Sequence, residues 1–220
     1  MDKKKLVLVL AAGDKIGGGS GFQEMVEQSR TSPAIIQADF VVISNHASGG
    51  VYKKAMMLNI PFEHWPGPYT AEGYQSLVKK YQADYVMCSG WLKLVQGLAP
   101  EKTINIHPGP LPEFGGPGMY GHHVHEAVIK AFREGKIKQS AVSMHFVNHL
   151  FDDGPMIAKI PILIRPDDTS ETLGVRVNKI EHGWQSYILN EVIHGRIYLL
   201  NGAVYYTNAQ PLISKASEER

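Results

Sequence analysis

The stretch "KLVLVLAAGDKIGGGSGFQEMVEQSR", residues 5–30, decides how the rest of the chain is read. It opens with "KLVLVLAAG" (5–13) behind the basic start "MDKKK", a combination that imitates a secretory signal. The apolar run from Leu6 to Ala12 is at the short limit for such a signal. It is also far below the roughly 20 residues of a membrane span. Tightly packed Leu and Val residues, then glycines, then "GFQEMVEQSR" (21–30) with helical patterning, read instead as buried strand, turn and helix.

Working outward, the same alternation recurs. "DFVVISN" (39–45), "DYVMCSG" (84–90) and "KTINIH" (102–107) read as buried strands, with helices predicted over "GGVYKKAMMLN" (49–59) and "TAEGYQSLVKKYQ" (70–82). Strand–helix–strand repetition implies an α/β fold with a mainly parallel, Rossmann-like sheet and helices on both faces. Further on come a helix at "HHVHEAVIKAFREGK" (122–136) and strands at "QSAVSMHFVN" (139–148) and "GPMIAKIPILI" (154–164). Leu173, Val177, Ile180, Trp184, Ile188 and Val192 then recur at spacings of three and four, predicting a long C-terminal helix. Asp168 with Glu171 three residues on reads as its capping box. "GRIYLLNGAVYYT" (195–207) reads as a β-hairpin turning at Asn201-Gly202. One domain is expected over 1–207, with a polar C-terminal tail over 208–220.

Composition narrows the function classes. The chain has 220 residues, 44% hydrophobic and 20% charged, with a formal net charge of +1. That balance gives no electrostatic case for nucleic acid or a membrane surface. The single cysteine, Cys88, excludes an internal disulfide and fits a reducing, cytoplasmic location. Either a monomer or a homodimer is compatible with these numbers.

Three features carry chemistry. Gly17, Gly18, Gly19, Ser20 and Gly21 sit between the first strand and its helix, where bare backbone can approach an anion and the helix dipole favours it. The competing reading is a flexible connector, but a first βα turn in an open α/β sheet is a common ligand position. Asn105 and His107 stand two apart in an extended segment and so share one side of it. Both can donate to an oxyanion, and the imidazole can move a proton. Pro108, Pro110 and Pro112 stiffen the chain that leaves the strand. A carboxylate partner, Asp152 or Asp153, lies in "MHFVNHLFDDGPMI" between two predicted strands.

Together these residues resemble the folate-dependent glycinamide ribonucleotide formyltransferase family over roughly residues 5–207. "GGGSGFQ" is similar to its phosphate loop, "VISN" (42–45) to its second strand, and "SGWLKLV" (89–95) to its folate-side strand end. "INIHPGPLP" (104–112) is similar to its signature strand and loop, "HFVN" with "DDGP" (145–155) to its aspartate region, and "IEHGW" (180–184) to its substrate-contacting glutamate segment. The resemblance implies formyl transfer from 10-formyltetrahydrofolate to the amine of a phosphoribosyl glycinamide in purine synthesis, with no metal. It implies Asn105, His107 and Asp152 as the catalytic set. Asp152 is chosen over Asp153 because the family's aspartate lies seven positions after the His of the His-Phe-Val element, here His145. Gly19, Ser20 and Gly21 would hold phosphate, and Glu181 the ribose or glycinamide end. Leu92, Lys93, Leu94 and Val95, with Asn105, Val147 and the 148–151 loop, would line the pterin slot.

The chain departs from the family at three points. The loop from Gly13 to Gly17 is longer, Lys93 replaces a common arginine, and no basic residue stands near Ala71 for the folate tail. His122, His123 and His125 suggest a metal cluster, but a mobile substrate-covering loop is the expected reading. His145 is read as a strand residue and His149 as a loop residue near the folate site. The alternatives are a related formyltransferase, a formyl-folate hydrolase, or a silent phosphoribosyl-binding module.

Overall fold

A computed structural model describes residues 4–207, so the tail expected at 208–220 lies outside the described residues. In chain order the elements are β1 (Lys5–Leu10), α1 (Ser20–Thr31), β2 (Ala38–Ser44), α2 (Gly50–Met57), β3 (Phe62–His64), α3 (Ala71–Tyr81) and β4 (Tyr85–Cys88). Then follow β5 (Thr103–His107), α4 (His122–Arg133), β6 (Gln139–Phe146), β7 (Met156–Leu163), α5 (Ser170–Ile193), β8 (Ile197–Leu200) and β9 (Ala203–Tyr206).

Seven strands form one sheet in the order β3-β2-β1-β4-β5-β6-β7, and β8 with β9 makes the separate hairpin expected at Asn201-Gly202. Pairing is parallel from β3 through β5 and antiparallel on both sides of β6. β1 is apolar from Leu6 to Leu10 because each face of the sheet has its own core. Val7 and Val9 of β1 pack with Phe22, Met25, Leu173 and Val177 on the side of α1 and α5. Leu8 and Leu10 pack with Trp65, Tyr74, Leu77 and Trp91 on the side of α3. Burial on both faces is what parallel strands require.

The chain runs outward from β1 to β2 and β3, then returns to place β4 on the other side of β1. The crevice where strand order reverses lies beyond the carboxyl ends of β1 and β4, the position at which open α/β sheets bind ligands. Ala12 N–H donates to the Gly90 carbonyl at 3.1 Å, tying the two loops that leave those strands.

Two expectations change. β3 was not foreseen: with three residues, it is too short to show an alternation. The capping box of α5 is built by Thr169 and Thr172, not Asp168 and Glu171. Asp168 is buried instead, accepting from Arg165 N–H at 2.7 Å and from Arg176 Nη1 at 2.6 Å. The Arg176 guanidinium holds its carboxyl at about 2.

Candidate active site

A cavity of about 540 Å³ opens at the crevice. One end is walled by the β1–α1 loop and α5, the other by the segment after β4, and β5 ends between them.

The loop end is built around missing side chains. Asp14 closes the turn by accepting from Ile16 N–H at 2.7 Å and Gly17 N–H at 2.5 Å. Gly18 has φ +90°, and a Cβ there would lie 2.2 Å from Gly13 Cα. Only glycine fits that fold-back. Gly19 follows in the left-handed region and begins α1 without any side-chain cap. The first N–H groups of the helix therefore face outward with the positive end of the dipole behind them.

At the centre, Asn105 and His107 project from β5 on the same side, as their spacing implies. They converge on the two oxygens of one carboxylate. Asn105 Nδ2 donates to Asp152 Oδ1 at 3.2 Å, and His107 Nδ1 lies 3.5 Å from Asp152 Oδ2. Asp152 is placed by a tight turn after β6: it has φ +53°, and a Cβ on Gly154 would lie 1.7 Å from the Phe146 carbonyl oxygen. The loop after β5 folds back over it, and Gly116 N–H donates to Oδ2 at 3.0 Å. Asp153 points elsewhere and accepts from Asn148 at 3.0 Å.

Protonation follows from partners. His107 Nε2–H donates to the Phe114 carbonyl at 2.7 Å, which leaves Nδ1 toward Asp152. Burial pulls the His107 pKa below the ordinary imidazole value, against the opposing pull of Asp152 and the Phe114 carbonyl. Burial also works against charge on Asp152, but His145, His107 and Gly116 N–H outweigh it and hold its carboxyl below the usual value. Near neutral pH the pair is thus a carboxylate facing a bare imidazole nitrogen, two acceptors with room for one proton between them. His145 completes the group: its Nδ1 lies 2.8 Å from the Phe146 carbonyl oxygen, and its Nε2 lies 3.1 Å from Asn105 Nδ2 and 3.6 Å from Asp152 Oδ1.

The formyl transferase family model matches residues 7–189. The chain belongs to the formyl transferase family. It is 31% identical to the chloroplastic phosphoribosylglycinamide formyltransferase of Arabidopsis thaliana, over 89% of this chain and 67% of that one. With the Bacillus subtilis phosphoribosylglycinamide formyltransferase it shares 29% identity, over 80% of this chain and 91% of that one. The crystal structure of glycinamide ribonucleotide transformylase 1 from Symbiobacterium toebii superimposes with a TM-score of 0.77 at 25% identity, covering 93% of this chain and 95% of that one.

The sequence-chosen residues of this formyl transferase mostly gather at the one cavity. Gly19, Ser20, Gly21, Leu92, Lys93, Leu94, Val95, Asn105, His107, Val147, Asp152 and Glu181 all line it. Val95 is buried, Leu94 is half-buried, and Leu92 and Lys93 are exposed, with Lys93 Nζ 5.5 Å from the centre of the Tyr69 ring. Burial in the cavity wall pushes the Glu181 carboxyl up to about 8. Burial likewise pushes the Cys88 thiol up to about 12, so it is an inert apolar packing residue.

The histidine run differs from its expectation as a covering loop. His122 begins α4, pairing with Glu126 at 3.1 Å, whereas His125 is buried against Gly174 of α5. Burial lowers the His125 pKa to about 4. Among the described residues no three His, Cys, Asp or Glu side chains gather as a metal set. His149 is exposed, while its neighbours Leu150 and Phe151 line the cavity.

Two groups escaped the sequence reading. His145 reaches Asn105 because the two lie directly opposite across β5 and β6. The neighbours of Glu181 on the polar stripe of α5, Asn178, His182 and Gln185, also face the cavity. The spacing of three and four in that stripe was visible in the sequence, but the apolar stripe beside it drew the reading.

Proposed function

We propose that this formyl transferase moves the formyl group of 10-formyltetrahydrofolate to the primary amine of glycinamide ribonucleotide, a step of purine biosynthesis. The convergence of Asn105 and His107 on the Asp152 carboxylate, between a glycine-lined anion end and an apolar end of one cavity, carries this reading. Phosphate would lie on Gly19, Ser20 and Gly21 at the uncapped start of α1, with Glu181 toward the ribose or glycinamide. Leu92, Leu94, Val95 and Val147 would enclose a flat pterin. The stretch from Gly90 to Val95 lies outside helix and strand, which suits recognition of the ring edge by its backbone groups.

The folate supplies the activated formyl carbon, and this chain supplies orientation and charge. As the amine nitrogen bonds to that carbon, negative charge grows on the carbonyl oxygen and a surplus proton appears on nitrogen. Asn105 turns an N–H toward the oxygen. The space between His107 Nδ1 and Asp152 receives the proton, making an imidazolium held by a carboxylate. That imidazolium adds its charge to the oxyanion's support. It then returns the proton to the folate nitrogen as the old C–N bond breaks. No metal enters the scheme, and the reducing cytoplasm suits Cys88.

Formyl transfer followed by folate absorbance tests the reading. The expected signal needs both 10-formyltetrahydrofolate and glycinamide ribonucleotide. Equal loss of formyl to water would instead make the protein a hydrolase. Binding of the ribonucleotide without turnover would make it a silent module.

A further inference from the structure

The glycine loop offers a bound anion only one side-chain donor. Between Gly17 and Gly21 every residue but Ser20 is glycine. Position 21 cannot contribute a side chain, because a Cβ there would lie 2.6 Å from Gln185 Nε2 and 2.6 Å from Ser89 Oγ. Those two groups are held where they are, with Ser89 Oγ donating to Gln185 Oε1 at 3.1 Å. The direction of the Ser20 hydroxyl proton therefore decides whether this residue attracts or repels an anion.

A hydroxyl has one proton and two lone pairs. Ser20 Oγ lies 3.1 Å from His182 Nε2, on the α5 stripe. If Ser20 donated to the imidazole, only its lone pairs would face the cavity and an anion would be repelled. If His182 Nε2–H donates to Ser20, the serine proton is free to point at the ligand. Burial pulls the His182 pKa below the ordinary imidazole value, with the Glu24 carboxylate pulling the other way, and a neutral imidazole can still donate through an Nε2–H. We propose that His182 is a positioning residue for the phosphate: it donates to Ser20 Oγ and keeps the serine hydroxyl turned toward the bound anion. This rests on the assignment of Ser20 to the phosphate end of the site.

The test is a binding cycle by calorimetry, using ribose 5-phosphate and glycinamide ribonucleotide as probes. S20A is expected to weaken both by about 10-fold, and H182L by about 5-fold. The double variant should bind within about two-fold of S20A, because the histidine acts only through the serine. H182Q, whose amide can still donate, should recover most of the loss. In turnover, the H182L deficit should fall on KM for the ribonucleotide and not on KM for the folate. Additive losses in the double variant would overturn the proposal. So would normal binding by H182L, or a wild-type protein that binds neither probe. A wild-type protein that binds ribose 5-phosphate without transferring formyl would sink the proposed reaction, and the cycle would still decide the role of His182.

Discussion

At the residue scale, the centre is one carboxylate grasped from two directions. Asn105→Ala removes an oxyanion donor and the amide that bridges Asp152 and His145. Steady-state kinetics should show kcat lower by about 10²–10³. Asp152→Asn keeps the shape but removes the charge that holds a protonated His107. It should lower kcat by about 10³ or more while circular dichroism shows the fold retained. Near-normal turnover in either variant would remove that residue from the mechanism. Glu181 gives a pH signature. Its carboxyl titrates at about 8 in the fold against an ordinary 4.5, so the native state keeps a proton that the unfolded chain releases. Stability from this group is full below about pH 4.5 and is lost as pH rises through about 8. Glu181→Gln should therefore melt close to wild type at pH 4.5 and several degrees above it at pH 9. Asn105 and His107 were legible from their spacing of two, but spacing alone left Asp152 and Asp153 open. His145 was not legible, since it meets Asn105 only through strand register.

At the element scale, the long helix shows what sequence patterning can and cannot resolve. Its apolar stripe was plain, and Leu173, Val177, Ile188 and Val192 are buried as that spacing implies. Its first residue was not, because Asp168 and Thr169 are both good caps and stand side by side. Tertiary structure decides between them: Arg176, two turns along α5, takes Asp168 and leaves Thr169 to cap. Thr169→Ala should cost about 1 kcal/mol and lower the melting temperature by about 2–4 °C, with formyl transfer intact. A loss of activity larger than the loss of stability would show that the start of α5 tunes the site. β3 escaped for a different reason. Strand pairing with β2, from Val42↔Phe62 to Ser44↔His64, supports a segment whose own three residues carry no signal.

At the scale of the whole molecule, the order of strands places the chemistry. The reversal at β1 and β4 brings the glycine loop and the Gly90–Val95 segment to one crevice, and β5 ends between them with Asn105 and His107. Alternating strands and helices made the mainly parallel sheet readable from sequence, whereas the order of its strands is set by tertiary pairing. The longer Gly13–Gly17 loop still folds its glycines against α2, where a Cβ on Gly50 would lie 2.1 Å from the Gly17 carbonyl oxygen. The account stands on both ends of the cavity serving one reacting carbonyl. Its most direct test compares kcat/KM for glycinamide ribonucleotide with that for the same acceptor lacking its phosphate, at fixed 10-formyltetrahydrofolate. The expected ratio is about 10² or more in favour of the phosphorylated acceptor, because binding energy at the glycine loop orients the amine. Equal values for the two acceptors would contradict the account.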